Sequence, residues 1–189
     1  MAVKRKRLVF NAPFVLGFAF VCVAVLLIGI LTGGRSNELL FLVYRAPLDE
    51  PLTYIRFFTH VLGHANWGHL FNNMCYFLLL GPMLEERYGA KKLLLLVALT
   101  ALISGLVNFI AFPTTALCGA SGVVFAFILL TSFTSFRSGG IPITVIIVAI
   151  LYLGQQIYDG IFVSDDVSQL SHIIGGLVGA AAGYVWNRR

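Results

Sequence analysis

Two polar residues in stretches too apolar for a soluble protein have the most chemistry to offer in this 189-residue chain. Ser121 sits in the turn Gly119-Ala120-Ser121-Gly122, and His172 opens the last apolar segment. A serine hydroxyl becomes a nucleophile when a neighbouring base takes its proton, and imidazole is the usual base. Glycines at 119 and 122 permit tight backbone geometry. A serine at a helix N-terminus also has unpaired N–H groups beside it that can hold a developing oxyanion. The plain alternative is helix packing, for which Gly-X-Ser-Gly is good material. His172, Gly175 and Gly179 fall at i, i+3 and i+7, one face of a helix that can approach another backbone closely. A lone intramembrane histidine can equally be a satisfied core residue or a proton relay.

A third cluster holds His60, His64, His69 and Asn73. His69 and Asn73 are i, i+4 on one helix face, and both can donate hydrogen bonds to an oxyanion. The rival is zinc, since three histidines within ten residues can ligate it. The cluster has no His-Glu-X-X-His, no carboxylate and no general base, so no metal is expected. Cys22, Cys75 and Cys118 show no paired spacing and read as small apolar fillers. Cys118 lacks the glycine-flanked setting of a nucleophile.

The elements that must carry these residues are membrane spans. The chain is 59% apolar and 11% charged, with a mean hydropathy of +0.91, whereas a soluble domain carries about 25% charged residues. Six stretches suit a bilayer crossing: 11–32, 67–84, 92–112, 121–136, 141–158 and 169–187. The basic start Lys4-Arg5-Lys6-Arg7 resembles a signal peptide, but the uncharged run after it is long and no Ala-X-Ala follows. It is read as a retained first span.

With both termini in the cytoplasm, the inner side receives Lys4, Arg5, Lys6, Arg7, Arg87, Lys91, Lys92, Arg137, Arg188 and Arg189, against Arg35, Arg45 and Arg56 outside. The outer side also holds Glu38, Asp49, Glu50, Asp159, Asp165 and Asp166. The net charge of +5 is thus the positive-inside rule and not a nucleic-acid footprint. The connection 33–66 is apolar and aromatic enough to lie in the interface as an amphipathic hairpin. Polar residues before Ser121 predict a central fourth helix that starts below the outer surface, shielded by the others. The expected fold is an all-α polytopic bundle of six transmembrane helices, a single domain over 1–189 with the core at 67–187. Serine, base and oxyanion donors then share its outer half on spans two, four and six, the parts list for acyl transfer.

On these motifs the chain resembles the rhomboid intramembrane serine proteases of the six-helix bacterial type, from about Arg56 to Tyr184. His64, His69 and Asn73 match that family's His-(four)-His-(three)-Asn element. Gly119 to Gly122 match its nucleophile turn, His172 with Gly175 and Gly179 its final histidine, and Glu85-Glu86-Arg87 its Glu-X-Arg element. The resemblance implies a Ser121–His172 dyad without a third acid. It also implies an oxyanion site from the Ser121 N–H, His69 and Asn73, a bilayer-embedded first loop, and a multi-pass place in a bacterial inner membrane. Substrates would be single-span membrane proteins whose helix unwinds near its outer end, exposing a small residue before the cut; no cofactor is implied.

Two departures stand out. Ile55-Arg56 replaces a frequent Trp-Arg, which should loosen the first loop. Phe125 replaces a tyrosine that packs on the catalytic histidine, keeping the ring and losing the hydroxyl. Asn66, Asn72 and Ser171 are expected to line a water cavity open to the outside, with Asn72 turned away from the reacting centre. The rival readings are a non-proteolytic relative that binds transmembrane segments and a small transporter relaying protons through His64 and His172. Retention of both Ser121 and His172 argues against the first, and the apolar inner half of the spans against the second.

Overall fold

The computed structural model describes residues 11–134, 143, 146–148, 150, 151, 154 and 169–188. Most of the expected span at 141–158 lies outside them, as do Lys4 to Arg7, Arg137, Asp159, Asp165, Asp166 and Arg189. The described residues form an all-α bundle: α1 (Pro13–Leu31), α2 (Pro51–Thr59), α3 (Trp67–Tyr88), α4 (Ala90–Ala111), α5 (Ser121–Ser132) and α6 (Gln169–Trp186). On length and composition α1 and α4 can cross a membrane, and α5 is a shorter apolar helix.

Local chemistry sets the helix ends. Pro13 opens α1 with its φ already helical. The N–H groups of Phe14 and Val15, without partners inside the helix, donate to the Glu85 carboxylate of α3 at 3.0 and 2.9 Å. The Asn66 side chain caps α3 by accepting from the His69 N–H at 2.9 Å. Gly89, at φ +81°, ends α3 and at once starts α4. Only glycine enters that region without strain.

α5 is the buried centre, with Gly122 to Phe127 all buried, as a shielded fourth helix requires. Phe18, Phe77 and Phe127 stack across α1, α3 and α5 with centroids 4.7 and 4.8 Å apart. α5 is shorter than the expected 121–136. Its last turn closes with the Phe133 N–H on Leu130 O, and the Thr134 hydroxyl donates to Thr131 O.

The first loop is folded tightly onto the bundle. A π-turn (Asn37–Phe41) leads to an isolated antiparallel bridge between Val43 and Leu117, then α2 and a 3₁₀ turn (His60–Leu62). Arg56 is only 2% exposed. It donates to Leu39 O at 3.0 Å, lies 3.6 Å from Glu50 and covers the Tyr44 ring at 4.6 Å. Ile55 faces outward, so the loop's anchoring runs through the arginine and the exchange at 55 does not undo it. Thr59 adds a hydroxyl bond to Leu40 O.

Candidate active site

Ser121 is the first residue of α5, so the N–H groups of its opening turn have no carbonyl within the helix to donate to. The turn before it is pinned from two sides. The Gly119 N–H donates to His60 O at 2.9 Å. Gly119 itself adopts φ +117°, and a Cβ there would lie 2.6 Å from His69 Nε2 and 3.5 Å from Asn73 Nδ2. Glycine is the residue that allows the serine turn to rest against the α3 donors.

α6 carries His172 to the serine through equally close packing. A Cβ at Gly175 would lie 1.9 Å from Gly122 O, and one at Gly179 2.1 Å from Ala126 O. Gly122 in turn faces Ser171 O, 3.2 Å from where its own Cβ would be. The consequence is direct contact between the two helices, with Ser121 Oγ 2.9 Å from His172 Nε2. The His172 ring lies flat on Phe125, centroids 4.3 Å apart and planes 11° apart. The stack orients the imidazole without a hydroxyl.

A cavity of about 230 Å³ opens beside this pair, lined by His69, Asn72, Asn73, Tyr76, Ser121, Val124, Phe125 and His172. Asn73 is buried, and its Nδ2 has no hydrogen-bond partner among the described residues. A buried amide donor left unmet is costly unless something arrives to accept from it. His64 stands behind His69 instead of in the cavity. Its Nδ1–H donates to Leu62 O at 3.1 Å and its ring meets His69 edge-on at 5.1 Å. Burial, with the His69 ring adding to it, pushes His64 down to about 4, so it stays neutral near pH 7.

The structure thus brings Ser121, His172, His69, Asn73, Phe125 and the glycines 119, 122, 175 and 179 to one place. Asn72 is exposed yet borders the cavity, so it is not turned away as expected. Asn66 serves as a helix cap, and Ser171 is buried against Gly122, so neither lines the cavity as expected. Tyr76 and Val124 were not singled out in the sequence, although each lies three residues beyond a residue that was, on the same helix face. The role of His60, whose carbonyl holds Gly119, had no local signal at all.

The sequence matches the family profile described as Rhomboid domain over residues 51–189. It is 32% identical over 95 residues to the Rhomboid protease GlpG of Haemophilus influenzae, covering 49% of this chain and 48% of that protein. To the protein of the same name in Klebsiella pneumoniae it is 31% identical over 116 residues, 60% of this chain and 41% of the relative. The match in Salmonella paratyphi A is 31% over 145 residues, 74% and 51%. The chain spans about half the length of these relatives.

Proposed function

This chain belongs to the rhomboid family, and we propose that it is an intramembrane serine endopeptidase that cleaves a peptide bond in or near a transmembrane segment of another protein. The observation that carries the reading is the 2.9 Å contact between Ser121 Oγ and His172 Nε2 at the wall of a cavity.

In this scheme His172 Nε2 accepts the Ser121 proton as Oγ attacks the scissile carbonyl, then returns it to the leaving amine. Charge moves to the carbonyl oxygen, which the Ser121 N–H, Asn73 Nδ2 and His69 would hold. Asn73 fits this role because its donor is already desolvated and unpaired, so no competing bond has to break as charge develops. His64 and Phe125 fix the His69 and His172 rings. Water would enter past Asn72 to release the acyl-enzyme. No step in this scheme calls for a metal or an organic cofactor.

We place the chain as six spans with both termini in the cytoplasm of a bacterial inner membrane, one domain throughout. Basic residues at the α3–α4 turn and after α6 support that orientation. It puts the start of α5 below the outer surface, where a substrate helix would have to unwind.

The test is cleavage of a reporter transmembrane substrate together with labelling by a fluorophosphonate probe. Ser121→Ala and His172→Ala should abolish cleavage while the protein remains folded in detergent, and the probe should attach to Ser121 alone. Substrate binding without cleavage by the unaltered chain would favour a non-proteolytic relative, and full activity in either variant would remove the dyad.

A further inference from the structure

A second cavity, of about 320 Å³, runs between α4 and α6 away from the serine. Its lining residues are all apolar or aromatic, among them Leu95, Leu99 and Ile103 on α4 and Val178, Ala181 and Trp186 on α6. From Leu95 to Ile103 it follows α4 for about 12 Å, at 1.5 Å per residue. That is slightly less than one leaflet's share, about 15 Å, of a hydrocarbon core roughly 30 Å thick. One end is different in kind. Lys91 and Lys92 precede the groove residues by one helical turn, and the Lys92 ammonium lies 5.3 Å over the Trp186 ring. Trp186 is the last residue of α6, the position where indole rings mark a membrane interface. Among the described residues the one ion pair is Arg56–Glu50, so neither lysine is neutralised by a carboxylate.

An apolar trough most of a leaflet deep, ending in an indole and two unneutralised ammonium groups, has the shape and charge of a lipid site. We propose that the α4–α6 groove holds an acyl chain of one anionic phospholipid, whose phosphate rests on Lys91 and Lys92. A zwitterionic lipid could fill the apolar part, but its head group would carry a cation to a place already holding two. Basic pockets between helices are where anionic head groups are held in general. The site rests on the chain lying in a bilayer and is independent of whether Ser121 is a nucleophile.

The test is native mass spectrometry of the full chain from detergent, offered equal amounts of phosphatidylglycerol and phosphatidylcholine with identical acyl chains. One phosphatidylglycerol should be retained in preference by about ten- to thirtyfold, the effect of two basic groups at the head. Lys91→Gln with Lys92→Gln should bring the preference close to one, while Lys91→Arg with Lys92→Arg keeps it. Ala181→Phe, which fills the groove from an exposed position, should cut retention of both lipids. Ser121→Ala should bind as the unaltered chain does even if no proteolysis is ever seen. Equal retention of the two lipids, an undiminished preference in the glutamine pair, or unchanged retention in a folded Ala181→Phe protein would each overturn the site.

Discussion

Replacing Gly175 by alanine should disable the dyad through one methyl group. That methyl would lie 1.9 Å from Gly122 O, 2.7 Å from Gly122 C and 3.0 Å from Gly122 Cα, all of them backbone atoms that cannot swing aside. Opening the worst contact even to 3.0 Å, a separation real side chains barely reach, moves α6 from α5 by about 1.1 Å. His172 is three residues away on the same helix. Carried there, the shift stretches the 2.9 Å bond to Ser121 to about 4 Å, outside hydrogen-bonding range. Misplacement of reacting groups by about 1 Å can cost 10²-fold in rate. Gly176→Ala is the built-in control, because its Cβ would meet only the Leu129 side chain, at an ordinary 3.7 Å from Cδ2 and 3.8 Å from Cγ. It should stay within about twofold of the unaltered chain, since substitutions that displace nothing cost under about 0.5 kcal/mol. The assay is the initial rate on a reporter substrate and the rate of fluorophosphonate labelling, at matched folded concentration. If Gly175→Ala and Gly176→Ala have the same rates, close approach of α5 and α6 does not align the dyad.

Asn73→Ala should lose about 10²–10³ in kcat by removing one oxyanion donor, and Asn72→Ala, at the cavity mouth, far less; equal losses would move the oxyanion elsewhere. Phe125→Tyr should change turnover only a few-fold, whereas Phe125→Ala frees the His172 ring and should lower kcat by about tenfold or more; wild-type turnover in the alanine variant would make Phe125 ordinary core. Acid should weaken the fold through His60. Burial outweighs its bond to Ala101 O and pushes it from the usual 6.5 to about 4. The unfolded chain then binds a proton that the folded one refuses, so stability falls as pH drops from 6.5 to 4 and levels below. Denaturation midpoints across that range should show the decline, and His60→Gln, if it folds, should lessen it while leaving the share of His64, which burial holds down to about 4 as well; an unchanged slope would assign the decline to other groups.

What could be read in the sequence was whatever obeys a helical period. His172, Gly175 and Gly179 share a face because 3.6 residues make a turn, and so do His69 and Asn73. The turn at Ser121 stood out by its flanking glycines, although helix packing was an equally good use for them, and Gly122 turns out to serve both. Contacts between distant segments left no such trace. Nothing near Glu85 says that its carboxylate will cap α1 seventy residues earlier. Nothing near His60 says that its carbonyl will hold Gly119. The end of α5 at Ser132 was missed because the uncharged run continues to Phe136, while the backbone already turns at Phe133 and Thr134. Tyr76 and Val124 needed only the helical period applied once more from Asn73 and Ser121.

The distribution of polar groups explains why the glycines carry so much. Arg56, His60, His64, Asn73, Asn108, Ser171 and His172 are all buried, and each buried polar group opposes folding unless it is bonded. Several meet backbone carbonyls: Arg56 at Leu39, His60 at Ala101, His64 at Leu62, and Asn108 at Val43 and Thr115. Those bonds secure the loop and the serine turn but add little cohesion between helices, since each largely replaces a bond to water. Cohesion must then come from dispersion, which grows as backbones draw closer and falls steeply with a gap. Glycine at 122, 175 and 179 brings α5 and α6 nearer than any side chain would permit. The contact that supplies packing energy to the bundle is therefore the same one that sets the distance from Ser121 to His172. A helix pair could be held by leucines at ordinary spacing, but not with a hydroxyl and an imidazole at 2.9 Å between them.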